Sequence, residues 1–280
     1  MSRRIAVRAI GGFSLVEMII VIVIAGVLSA MVAVFIKSPV DGYVDSVRRA
    51  ELTDAADVAL RRLSRDVRRA LPNSMRVMSS GPMNYIEFIM TSAGGRYRDP
   101  VDGSTAGDFL SFSNLADVTF DVLGPPPEMA IGDFLVVYNL GPGFTPADAY
   151  NCTGQCNRAQ ISNIAGNNVT LDANPFANQT PPLPSPGARF QVVPGGERAV
   201  TYSCSAISGQ LTRRWNYGFN PAQQEPTGGS SAVLADGASC TVDYVPAAYG
   251  RNGLLYIRLT LTRDDESVTL FNQIHVDNTP

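Results

Sequence analysis

Few residues in this chain have the type and spacing to do chemistry. Its single histidine, His275, alternates with Ile274 and Val276, which places it on the solvent face of a strand with no nucleophile or metal ligand at a useful spacing. Cys152, Cys156, Cys204 and Cys240 form an even set suited to disulfides. Of the possible pairings, nearest-neighbour bonds Cys152–Cys156 and Cys204–Cys240 are favoured. A zinc site is disfavoured, because C-x3-C is followed by two isolated cysteines rather than a second close pair. The C-x3-C loop reads as a brace rather than a redox centre, and Cys204 with Cys240 as a tie across a sheet. Asp264-Asp265-Glu266 lacks the spaced ligands of a calcium loop and reads as a solvated turn. Trp215 and Tyr217, two apart, either form a sugar-stacking platform or belong to the core. No G-x-S-x-G elbow, H-E-x-x-H helix or phosphate-binding loop occurs, so the expectation is a protein that is not an enzyme, with no cofactor and no metal.

The most unusual constellation is Gly11-Gly12-Phe13-Ser14-Leu15-Val16-Glu17-Met18, which runs into an apolar stretch from Ile19 to Ile36. A lone carboxylate deep in a bilayer costs roughly 2.5–3.5 kcal/mol, so Glu17 needs something that offsets the cost. The element that must position it is a helix. Phe13 to Ile36 would span ~36 Å at ~1.5 Å per residue, enough for a ~30 Å hydrocarbon core. Arg3, Arg4 and Arg8 precede it and keep the N-terminus cytoplasmic by the positive-inside rule, although Lys37 and Arg48-Arg49 on the far side weaken that asymmetry. An ordinary secretory signal would end in small residues at −3 and −1, but a cut after Ala30 or Ala33 puts Leu28 or Met31 at −3. The small residues lie instead at Gly11-Gly12, where cleavage would leave the apolar helix on the mature chain.

Pro39 is expected to kink or interrupt this helix, with Gly42 a second weak point. An amphipathic helix then follows: Val44, Val47, Leu52, Ala56, Leu60, Leu63, Val67 and Leu71 recur along one face. Glu51, Asp54, Asp57, Arg61, Arg62, Arg65, Asp66, Arg68 and Arg69 form the other, read as a solvated face laced by four-apart pairs such as Asp57 with Arg61. Pro72 marks the end.

On these residues the chain resembles type IV pilins and related pseudopilins. Gly12-Phe13-Ser14-Leu15-Val16-Glu17 is similar to their class III signal, which prepilin peptidase cuts after the glycine before methylating the new N-terminal phenylalanine. The resemblance implies cleavage at Gly12, N-methylation of Phe13, and a role for Glu17 in filament assembly through pairing with the Phe13 amine of a neighbouring subunit. Ala50 to Asp57, Arg68 to Ser74 and Pro39 to Tyr43 further resemble the O-type minor pilins of the mannose-sensitive haemagglutinin (MSHA) pilus. That implies other pilin subunits, prepilin peptidase and an inner-membrane assembly platform as partners, with membrane lipid holding the helix before assembly. It also implies a single-pass inner-membrane protein with a periplasmic head that later reaches the pilus and cell surface. A minor pseudopilin of a type II secretion system shares every one of these N-terminal features, and a tip adhesin for a surface or glycan is the alternative if Trp215 and Tyr217 form a platform.

From Met75 the chain changes to short β-type runs broken by Gly, Pro, Asn and Asp. Strands are expected over 85–90, 109–112, 118–123, 134–138, 159–164, 169–172, 190–193, 199–205, 210–217, 239–244, 254–262 and 267–276. Loops are expected at 124–127, 175–187 and 220–231, the second being Pro-rich and either dividing the head or wrapping it. Net charge is −3 with no basic patch for nucleic acid, and losing the leader arginines makes it more negative. The expected fold class is therefore α+β, type IV pilin-like. A leader over 1–12 precedes an apolar helix over 13–36, an amphipathic helix over 37–71 and a large antiparallel β-rich head over 72–280, in one or two lobes.

Overall fold

The computed structural model describes residues 12–100, 106–153, 155–246 and 252–280. The chain divides into two compact units, with the boundary between Glu51 and Leu52. Helix α1 starts in the first and runs Leu15–Val67, 53 residues with Pro39 inside it. The expected interruption at Pro39 does not occur. Proline removes its own amide bond and its ring crowds the carbonyl four residues earlier, together a local cost of about 3 kcal/mol, and the helix continues through it. Leu15–Val32 has a mean hydropathy of 2.7 and no buried residue. Apolar surface on that scale needs lipid or protein around it.

In the second unit α1 stops at Val67, before the expected end at Leu71. The Arg69 and Ala70 amides bond to the carbonyls of Asp66 and Val67, tightening the last turn, and the Leu71 amide bonds to the Ile89 carbonyl, turning the chain into the sheets. Leu52, Ala56, Ala59, Leu60, Leu63, Val67 and Ala70 are buried at helical spacing. The face they form is a wall of the main core.

That core lies between two antiparallel sheets and the helix. The first sheet has the order β1 (Arg76–Ser80), β2 (Met83–Ile89), β9 (Ala199–Ser205), β10 (Gln210–Trp215) and β11 (Ser230–Asp236). The second has β12 (Ala238–Val245), β13 (Gly253–Arg263) and β14 (Glu266–Val276). Leu255, Ile257, Leu259 and Leu261 of β13 share the core with the helix and with Ile86, Phe88, Val200, Tyr202 and Leu211 of the first sheet. Alternation along β13 sets its register, because a one-residue slip would turn these side chains to water.

A third sheet, ordered β3 (Ala93–Arg96), β8 (Arg189–Val193), β5 (Phe134–Val136), β6 (Arg158–Ala165), β7 (Asn168–Leu171) and β4 (Thr119–Asp121), has its own core around Tyr97, Phe120, Phe176 and Phe190. Gly95 lies opposite Phe190, whose ring leaves no room for a Cβ there. Leu71, Ile89, Val136, Tyr150 and Val193 make a smaller cluster at the join. β2 is thus buried on both faces: Ile86 and Phe88 belong to the main core, and Ile89 belongs to the cluster at the join.

Strands β1 and β3 are polar or glycine-rich, and β11 lacks alternation, so none of the three carries a strand pattern in the sequence. Phe109–Phe112, expected as a strand, is not one. The Leu110 amide bonds to the Arg98 carbonyl, and the Ser111 hydroxyl accepts the amides of Ser113 and Asn114, which curls the chain into a turn.

The structure joins Cys152 to Cys156 and Cys204 to Cys240. Cys204 is in β9 and Cys240 in β12, so this bond ties two sheets together rather than one sheet across itself. Replacing Cys240 with serine reopens a loop closed over a separation of 36 residues. The expected cost is about 4 kcal/mol in the chain-entropy account. The check is the denaturant midpoint of the variant against the parent without reductant, with the reduced parent falling close to the variant.

Candidate processing and assembly site

Gly12, Phe13 and Ser14 lie outside the helix, and Phe13 is 77% exposed. Gly11 and the leader arginines lie outside the described residues. Ser14 caps α1: its Oγ accepts the Glu17 amide at 3.2 Å, while its carbonyl accepts the Met18 amide at 3.1 Å. Ser14 and Glu17 therefore occupy the N-cap and third helical positions, the S-x-x-E spacing that favours a helix start. Glu17 is the acid of the first turn, where its negative charge complements the helix dipole. The arrangement leaves the Gly12–Phe13 peptide bond in non-helical chain just before an anchored helix. A peptidase that binds its substrate extended can reach that bond without unwinding α1.

The other candidates fall elsewhere. Cys152–Cys156 braces a loop beside Arg158, whose Nε donates to Cys152 Sγ at 3.0 Å and whose guanidinium lies 3.7 Å from the centre of the Phe219 ring. His275 is exposed on β14. Asp264 and Asp265 are the two turn residues of the β13–β14 hairpin, with φ of 49° and 66°, while Glu266 already begins β14 opposite Arg263. Trp215 and Tyr217 share no strand face, since β10 ends at Trp215 and Asn216 turns the chain with φ of 59°. Trp215 packs on the main core. The Tyr217 hydroxyl donates to Glu87 at 2.9 Å and lies 2.6 Å from the Thr201 hydroxyl.

Two buried charge networks are invisible to patterning along the chain. Asp66, expected on the solvated face, is buried; its Oδ2 accepts Arg213 Nε at 2.7 Å and the Tyr202 hydroxyl at 2.8 Å. Arg213 also reaches Glu197 at 3.2 Å. Burial pulls the Arg213 pKa down, but the Asp66 hydrogen bond and charge outweigh it and hold it raised. Burial, then Asp66, pushes the Tyr202 hydroxyl up. In the second network Glu87 accepts Arg76 Nε at 2.9 Å from the facing position on β1, with the Arg76 guanidinium 3.7 Å from the centre of the Tyr150 ring. Both networks are internally paired, so they fix strand and helix positions rather than offer a reactive group.

Residues 7–33 match the family model described as the prokaryotic N-terminal methylation motif. No curated protein and no solved structure matches the chain. The motif, the apolar helix and the antiparallel head support a type IV pilin-like α+β protein. They imply processing by prepilin peptidase, membrane anchoring, and assembly with other pilins in a pilus or pseudopilus.

Proposed function

We propose that this chain is a minor pilin of an MSHA-type type IV pilus, cut by prepilin peptidase after Gly12, methylated on Phe13, and built into the initiation or tip complex of the filament. The observation that carries the processing and assembly part of this reading is the join between the motif and α1: a non-helical Gly12-Phe13 step, the Ser14 cap, and Glu17 in the first turn of an apolar helix. The MSHA part rests on the resemblance of Pro39 to Tyr43, Ala50 to Asp57 and Arg68 to Ser74. Cleavage creates an amine on Phe13 one helical turn from Glu17. Within one subunit that amine faces the positive end of the helix dipole, which disfavours it. Across a subunit boundary, amine and Glu17 carboxylate neutralise one another, and two paired charges in an apolar setting cost less than two left alone.

In lipid the carboxylate has no such partner, so transfer from membrane to filament is favoured at this position. The inner-membrane assembly platform would carry out that transfer, with the head on the periplasmic side. The test is the intact mass of the protein recovered from the pilus fraction. The expected mass corresponds to a chain starting at Phe13 with one methyl group and two disulfides; any other mature N-terminus overturns the reading. Deletion is expected to remove surface pili while protein secretion continues. The opposite pattern would assign the chain to a secretion pseudopilus.

A further inference from the structure

Two features of the head that the assembly reading does not use lie side by side. The first is an open sheet edge. β14 is the outer strand of its sheet, 11 residues long, and among the described residues its backbone pairs only with β13. The second is a groove of about 610 Å³ lined by Arg61, Ser64, Arg65, Arg68, Arg69 and Asn272. Asn272 belongs to β14, and its side-chain amide donates to Ser64 Oγ at 2.8 Å, so the groove follows the seam between α1 and the open edge.

Arg61, Arg65 and Arg68, at spacings of four and three, form one ridge of the helix along that seam. Arg61 is paired with Asp57 at 2.7 Å and Arg69 donates to the Thr91 carbonyl at 3.1 Å. Arg65 and Arg68 are exposed and make no ion pair among the described residues. The one acid in this stretch, Asp66, is turned inward to Arg213. The ridge is thus a local cationic surface on a chain whose net charge is −3.

An unpaired edge offers backbone bonds to an added strand, and a strand's side chains alternate, so every second one would face the ridge. Arginine pairs with carboxylates through two parallel bonds, which favours acids at those positions. We propose that the β14 edge and the arginine ridge form one docking site for an extended acidic segment of a neighbouring subunit, with carboxylates at alternate positions meeting Arg65 and Arg68. That the partner is a subunit rests on the filament reading; the strand and charge requirements do not.

The test uses the full chain in detergent micelles and a short labelled peptide alternating Glu with Thr, read by fluorescence anisotropy. Binding is expected, with little or none for the matching Lys-Thr peptide. R65Q/R68Q should weaken it about tenfold or more without moving the thermal midpoint, and N-methylation of one set of alternate peptide amides should weaken it as much. Equal binding of the Glu and Lys peptides overturns the site, as does no binding of the Glu peptide, in which case the arginines only guard the edge. Unchanged affinity of both N-methylated forms overturns strand addition and leaves a plain charge patch. Processing at Gly12 of the parent in cells is read separately, so a parent that is processed normally but does not bind the Glu peptide removes this site and leaves the pilin reading standing.

Discussion

Replacing Glu17 with leucine is expected to leave the protein cleaved, methylated and held in the membrane, yet to lower its recovery in sheared filaments about tenfold or more. The substitution removes the acid of the first turn of α1 and makes the helix more comfortable in lipid, by up to the roughly 2.5–3.5 kcal/mol that a central carboxylate costs. It also leaves an incoming amine unpaired in the assembly. Both changes oppose leaving the membrane, and about 1.4 kcal/mol is already a factor of ten. Glu17→Gln should behave like the leucine variant if charge is the point, and Glu17→Asp should be intermediate. Immunoblots of membrane and filament fractions read all three. Parental levels of the leucine variant in filaments would remove the pairing argument.

The largest stability effect is expected at Asp66. Asp66→Leu leaves Arg213, 3% exposed, with the longer contact to Glu197 as its one remaining ion pair among the described residues, and strips the Tyr202 hydroxyl of its acceptor. Breaking one side of a buried pair costs about 3–5 kcal/mol because the remaining charge stays desolvated. For a head of this size the thermal midpoint should fall on the order of 10 °C. The double variant D66L/R213M removes both charges and should recover much of the loss, since apolar packing can replace a buried pair. Circular dichroism melts of both variants against the parent check this. A double variant as unstable as the single one would show that the pair does more than balance charge.

Asp66 also shows how far patterning along the chain reaches. It stands three residues from Leu63, four from Ala70 and seven from Ala59, so helical spacing alone puts it on the buried face. Sorting residues by polarity puts it on the other. Arg213 is the same case: it shares its strand face with Leu211 and Trp215 and so faces inward, but a single charge on a strand gives no hint that its partner lies 147 positions earlier. The N-terminal candidate stands out in the sequence because Gly12, Phe13 and Glu17 are close neighbours at the start of an apolar run, while the Ser14 cap between them emerges only from the structure. The hairpin of β13 and β14 is legible for a similar reason, strict alternation joined by an acid turn.

The features that stay hidden in the sequence are non-local. β1 and β3 are strands because neighbours complete them: Arg76 meets Glu87 across β1 and β2, and Gly95 makes room for Phe190. Phe109–Phe112 has the aromatic look of a strand, but the Ser111 hydroxyl satisfies nearby amides first. Pro39 does not break α1 because one missing amide is a smaller loss than two new helix ends. The division of the head into three sheets follows from which strands pair, and many of the partners are far apart in the chain.

The last turns of α1 limit how such a protein can be recombined. Leu52, Ala56, Leu60 and Leu63 fill the same core as Ile86 of the first sheet and Leu259 of the second. A head cut at Pro72 would lose that wall and expose both sheets, so helix and head cannot be traded between relatives at the proline that ends the helical pattern. A graft that keeps a folded head has to be made above Leu52, where the core begins. As far as the core of the head is concerned, residues up to Glu51 can be exchanged as a module, while the segment from Leu52 to Val67 has to change in step with the strands it touches.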